Sequence, residues 1–267
     1  MTDQPDLTTD RAVLSGDAYA DDRHLSARQS LYQYQEPRYD LPQIVSDLIG
    51  SRGGLVADIG CGNGWYVRTL RREHPDWTVI GVDLSTRMLA SLEPPVVRAD
   101  AMRLPLADGR MDVVLAMHMI YHLPDMEAGI AELARVLRPG GMLVASTNAI
   151  GDKIELDDLW TAATAQIIAG PTQRRVTLSS RFRLDDAPTI LRRRFEDVVV
   201  RELPGTITVT TPEPVIAHLA SYETFAPDLS FRATVRAARD IVAAQIADNG
   251  TFTISCRSGI ITARKVA

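Results

Sequence analysis

The sequence predicts a doubly wound α/β fold, and three observations carry that expectation. Apolar runs of strand length alternate with stretches of helical period between residues 55 and 147. Asp58 lies near the end of the first run, and Asp83 directly follows the second. Gly60, Gly62 and Gly64 come next after the first run, ahead of a helical pattern marked by Val67, Leu70 and Arg71. Such alternation implies βαβ units and a buried parallel sheet. Ligands of these sheets sit beyond the carboxyl ends of the strands, where Gly60, Asp83, Asp100 and His118 all fall.

Taken in order, residues 1–15 are polar and acidic and read as disordered. From 17 to 49 the pattern is helical, with Arg28, Tyr32, Gln35 and Tyr39 recurring at intervals of three and four. It breaks near Pro37 and Pro42, and Pro42 is placed to start a helix over 43–49. Strands are expected at 55–59, 78–82, 96–98, 113–117 and 142–147, with helices at about 64–74, 85–92 and 126–137. Beyond 150 the alternation loosens. Residues 156–169 form a helix candidate, 185–195 a further core helix, and 197–203 and 206–211 β-branched strands. Helices follow at 212–221 and 231–247. Asn249-Gly250 then turns the chain into 251–256, and 260–264 reads as an antiparallel closing strand.

Composition narrows the function classes. The 267 residues can bury one substantial core, and 45% hydrophobic content is ordinary for a globular chain. No apolar run approaches the ~18 residues of a membrane span, and the N-terminus lacks the basic start and apolar stretch of a signal peptide. Two cysteines, Cys61 and Cys256, make no disulfide framework, so the cytoplasm is the expected compartment. Net charge is −5, and only Lys153 and Lys265 among 29 basic residues are lysine. The Arg192-Arg193-Arg194 cluster reads as a solvated face. An acidic chain without a basic stripe is a poor match for nucleic acid.

The glycine loop points to a nucleoside ligand. Glycine lets the backbone turn off a strand and approach a ligand closely, and a carboxylate after the next strand can accept from two ribose hydroxyls. A dinucleotide fingerprint, G-x-G-x-x-G, has a different spacing from Gly60-x-Gly62-x-Gly64. Asp58 ahead of the loop would repel a pyrophosphate and suits a ligand carrying an ammonium group. These residues resemble motif I of the class I S-adenosylmethionine-dependent methyltransferases. The resemblance continues through Asp83, through Asp100-Ala101-Met102, through Asp112-Val113-Val114-Leu115-Ala116-Met117-His118, and through Leu137-Arg138-Pro139-Gly140-Gly141. It covers roughly residues 50 to 150 with order and spacing intact.

The resemblance implies a seven-stranded, mainly parallel Rossmann-like sheet with helical caps, S-adenosyl-L-methionine as cofactor, and a small-molecule acceptor of the natural-product tailoring kind. It divides the chain into a tail and helical lid (1–50), the cofactor-binding half of the core (51–150), and the rest of the core with an inserted substrate cap (151–267). Asp58, Gly60, Cys61, Gly62 and Gly64 would form the cofactor loop, and Asp83 would hold the ribose. Leu84 and Met102 would enclose the adenine, with Asp100 and Ala101 at its edge, and Met117 would lie beyond. Tyr34 and Arg38, in an aromatic and basic stretch, would cover the cofactor from an N-terminal helix, with cation–π attraction to the sulfonium. His118, Tyr121 and His122 are the candidate catalytic groups, because a neutral imidazole can take the proton of an attacking nucleophile. If helical, His118 and His122 share a face. Two histidines without a third ligand make no metal site. Self-association stays open, as do an RNA methyltransferase, a cofactor-assisted cyclase and a cofactor-binding protein on the same fold.

Overall fold

A computed structural model describes residues 6–16, 18–19, 22–50, 54–168, 174–226 and 228–266. One eight-stranded sheet runs through it in the order β1-β7-β8-β6-β5-β2-β3-β4. The five strands β2 (Leu55–Ile59), β3 (Thr78–Asp83), β4 (Val96–Arg98), β5 (Met111–Met117) and β6 (Leu137–Asn148) pair in parallel. Strand order reverses between β2 and β5, which places the topological switch point at the glycine loop. Val113–Ala116 of β5 are wholly buried, as a strand covered by helices on both faces must be.

Local chemistry sets the helix starts. Asp40 accepts from Gln43 N at 3.2 Å to cap α3 (Leu41–Ile49), with Pro42 in the first turn, as its position predicted. Gly64 caps α4 (Trp65–Glu73) with φ +75°, and Asp125 caps α6 (Met126–Val136) through Ala128 N at 2.9 Å. Ser85 starts the single turn of α5 (Thr86–Leu89), shorter than the helix expected over 85–92.

Several expectations are corrected. Of the segment expected to be disordered, residues 1–5 lie outside the described set, but α1 (Arg11–Ser15) is a helix capped by Asp10. The 17–49 pattern divides into α2 (Arg23–Ser30), a 3₁₀ turn at Leu31–Tyr34, the two-residue strand β1 (Gln35–Glu36) and α3. β1 pairs with Ile207 and Thr206, and it is the eighth strand beyond the seven expected. The 185–195 helix shrinks to α8 (Ala187–Leu191). The two strands expected between 197 and 211 form one, β7 (Phe195–Val209), which crosses Pro204-Gly205. The last two likewise merge into β8 (Phe252–Lys265). The thirteen register pairs between β7 and β8 explain both mergers, since a long partner holds a strand through local breakers. Helices α7 (Ile154–Ile167), α9 (Glu213–Ala220) and α10 (Phe231–Asn249) share a second core that includes Trp160 and Phe231. Residues 51–53 and 169–173, within the expected cofactor half and cap, lie outside the described set.

Candidate active site

The floor of the site is made by backbone. Gly60 N and Cys61 N both donate to Val82 O, at 2.8 and 3.0 Å, so the loop is tied to β3 as it leaves β2. Gly60, Gly62 and Gly64 have φ of +70°, +53° and +75°. A Cβ on Gly60 would stand 2.9 Å from Met119 Cβ, so the turn requires glycine there. Asp83 closes the loop from the side: Oδ2 accepts from Gly62 N at 2.9 Å and Oδ1 from Ser85 N at 2.8 Å. Burial raises its pKa, and those amide donors pull the other way.

Beneath the loop Asp58 is 1% exposed, and neither carboxylate oxygen has a hydrogen-bond partner. Burial, then repulsion from Asp83, pushes its pKa up to about 7. A buried carboxylate without a counter-charge is costly. A cationic ligand over the loop would supply what this site lacks, so these residues fit a cofactor with an ammonium group.

A cavity of about 310 Å³ opens over the floor. Gly60, Cys61, Gly62, Asp83, Leu84, Asp100, Ala101, Met117, His118, Tyr121 and His122 line it. Asp58 and Gly64 lie behind the surface, and Gly64 instead packs on Leu92. Met102 turns into the main core, leaving Leu84 and Ala101 at the cavity. Asp100 accepts from Met102 N at 2.9 Å and pairs with Arg11 at 2.5 Å.

The roof corrects the N-terminal choice. Tyr34 is exposed and Arg38 pairs loosely with Glu36, 3.8 Å away, both outside the cavity. The break at Leu31–Tyr34 turns them outward. Arg28, Tyr32, Gln35 and Tyr39, the three-and-four stripe, line the cavity instead, with Tyr19. Lys153 lies in the left-handed region at φ +56°, buried, with Nζ donating to Tyr32 Oη at 2.7 Å and to Asp152 at 2.6 Å. Burial opposes its charge, but Asp152 and Tyr32 outweigh it, so the ammonium persists. Burial pushes the Tyr32 hydroxyl up to about 12.

The histidines separate. His118 has φ +52°, and its N–H donates to Ser146 O and Oγ, each at 3.1 Å. His122 ends a 3₁₀ turn (Ile120–His122), so the helix that would put the two on one face does not form. Burial, then the Lys153 charge, holds the His118 pKa down at about 4. His122 is held at about 4 chiefly by burial. Its Nδ1 lies 2.7 Å from Thr8 O and must donate to it, which leaves Nε2 to accept from Tyr19 Oη at 3.1 Å. Both nitrogens of His122 therefore hold the roof, which leaves His118 of this pair for chemistry. Tyr121 lines the cavity with a hydroxyl whose pKa burial raises far above 10. Among the described residues no group of three or more metal-ligating side chains gathers, and no helix is long and apolar enough to cross a membrane.

Sequence reasoning missed His218, which lines the cavity from α9, together with Lys153 and Arg175. Arg28 and Tyr32 carried a signal in their spacing; His218 carried none, lying in an unremarkable helical pattern.

Comparison with known proteins gives a family and a fold. A family profile described as "Methyltransferase domain" matches residues 57–145. Methyltransferase GfsG of Streptomyces halstedii is 32% identical over 201 residues, 70% of this chain and 67% of that one. A malonyl-[acyl-carrier protein] O-methyltransferase of Hahella chejuensis is 33% identical over 112 residues, 39% of this chain and only 40% of the relative's length. The structure of Haemonchus contortus phosphoethanolamine N-methyltransferase 2 in complex with S-adenosyl-L-methionine has a TM-score of 0.57 at 19% identity. That likeness covers 96% of this chain and 60% of that one.

Proposed function

The chain belongs to the class I S-adenosylmethionine-dependent methyltransferases, and on that premise we propose that it methylates an oxygen, nitrogen or carbon atom of a small molecule. The single observation that carries this reading is the glycine loop floored by the unpartnered, buried Asp58. S-adenosylmethionine, when bound, supplies an electrophilic methyl group on a sulfonium. In this reading Asp83 accepts from the ribose, Leu84 and Ala101 flank the adenine, and Asp58 balances the ammonium. Tyr19, Tyr32 and Tyr121 line the site and help to exclude water from it.

His118 is neutral at pH 7, so its ring can hold the acceptor's hydrogen bond and receive a proton as the new bond forms. With a pKa of about 4 it is a weak base. Positioning of the acceptor in line carries most of the rate, an effect that can reach about 7–11 kcal/mol. The net charge of −5 argues against an RNA acceptor. Calorimetry with S-adenosylhomocysteine, followed by tritium transfer from labelled cofactor to a metabolite panel, tests the proposal. Micromolar binding and labelled small-molecule product are expected; failure of the wild-type protein to bind the cofactor product would overturn it.

A further inference from the structure

The cavity has a second wall where α2, tied to the glycine loop by Asn63 Nδ2 donating to Gln29 Oε1 at 3.1 Å, meets α9. Arg28 of α2 is 8% exposed, with its guanidinium between two rings, 5.4 Å from the Tyr19 centroid and 5.5 Å from that of Tyr222. Nη1 donates to Ser221 O at 3.0 Å, while the buried Nη2 meets no hydrogen-bond partner. No carboxylate among the described residues pairs with it. Tyr222 in turn lies 5.3 Å from the ring of His218, which is 2% exposed and has both nitrogens unpartnered. All of them line the cavity.

This wall belongs to the roof. Tyr19, Tyr121, His122 and His218 all sense the Arg28 charge, and Tyr19 senses Asp83 of the floor as well. A permanent charge buried without a counter-charge is costly. A guanidinium with a free edge matches a carboxylate's two oxygens, and flanking aromatic rings match a flat, unsaturated body.

We propose that Arg28, assisted by His218, binds a carboxylate on the acceptor, so that the substrate is a planar unsaturated acid gripped by its anionic end while another atom is methylated. The inference rests on the methyltransferase reading, because it takes the floor of the cavity as the cofactor's place. The neutral His218 ring can add one donor to the same carboxylate, and Tyr222 spaces the two groups.

The test uses 2-naphthoate and 2-naphthamide as probes, titrated into wild-type protein saturated with S-adenosylhomocysteine. A charge-assisted pair predicts that naphthoate binds about tenfold or more tighter than naphthamide. Arg28→Gln should erase that preference while leaving the S-adenosylhomocysteine Kd within about twofold, and Arg28→Lys should keep part of it. If Arg28→Gln weakens S-adenosylhomocysteine tenfold and spares naphthoate, the guanidinium serves the cofactor's own carboxylate and the proposal falls, with the methyltransferase reading intact. Equal binding of the two probes to wild type, or no binding of either, also overturns it. Wild-type protein that fails to bind S-adenosylhomocysteine breaks the underlying reading instead. Should Arg28→Gln not fold, by its melting curve, His218→Ala serves in its place, with an expected loss of about threefold in the naphthoate preference.

Discussion

The floor and the roof of the cavity are built by opposite means. The floor comes from one continuous stretch, β2 through β5, and its groups are placed by backbone: positive φ at three glycines, strand ends at Asp83 and Met117. The roof gathers side chains from Tyr19, α2, the start of α7, Arg175 and α9, residues up to about two hundred positions apart, held by their own long reach. A floor of this type tolerates little change and serves one ligand. A roof of this type can be rebuilt around a different acceptor while the floor stays the same.

The sharpest way to break the contrast is to put a side chain in the floor. A Cβ on Gly64 would collide with Leu92 Cδ2, and Leu92 is buried in the same core cluster as Val67 and Leu89. Left-handed strain and overpacking together predict that Gly64→Ala costs about 2–5 kcal/mol of stability. Gly62→Ala meets only Leu25 Cδ2, a roof atom, at 3.0 Å, so it should cost about 1–2 kcal/mol, mostly from its φ of +53°. Denaturant melts of the two variants check the order; equal losses would mean that the floor yields as easily as the roof.

Asp58 gives effects of opposite sign on stability and on binding. Its folded pKa of about 7 stands above the 3.8 of an ordinary carboxyl. The folded protein therefore holds the proton more tightly, and stability is whole below about pH 4 and is lost as pH rises through 7. Asp58→Asn should raise Tm at pH 8, leave it nearly unchanged at pH 4, and weaken S-adenosylhomocysteine binding. A lower Tm at pH 8 would show that Asp58 has a stabilising partner.

The same contrast explains what was legible in the sequence. Asp58, Gly60, Asp83 and His118 could be placed because strand ends and glycine spacing fix positions in a parallel sheet. The roof was legible only as a stripe: Arg28, Tyr32, Gln35 and Tyr39 share a spacing, and all four reach the cavity. Tyr34 and Arg38 looked equivalent in composition, but the 3₁₀ turn at Leu31–Tyr34 and the strand after it send them to the surface. Long-range pairing also settled β1, whose two residues form a strand only because Thr206 and Ile207 lie beside them. Lys153 and His218 are brought to the cavity by tertiary packing, which no local spacing records.

His118 and His122 provide the finest comparison, since both rings titrate at about 4 but face different duties. A folded pKa below the ordinary 6.5 means that the stability each lends is complete above pH 6.5 and falls as pH drops toward 4. For His122 the loss should appear in the roof, because its ring joins Thr8 and Tyr19. His122→Ala should speed hydrogen exchange in residues 6–19 by about tenfold and leave 55–83 unchanged. For His118 the smallest effect of all is expected: kcat at saturating substrates should stay flat between pH 5.5 and 8, because the ring is already neutral there. A rise of kcat through pH 6.5 would show that the ring sits in water at the moment of reaction, and that the roof does not close over the site.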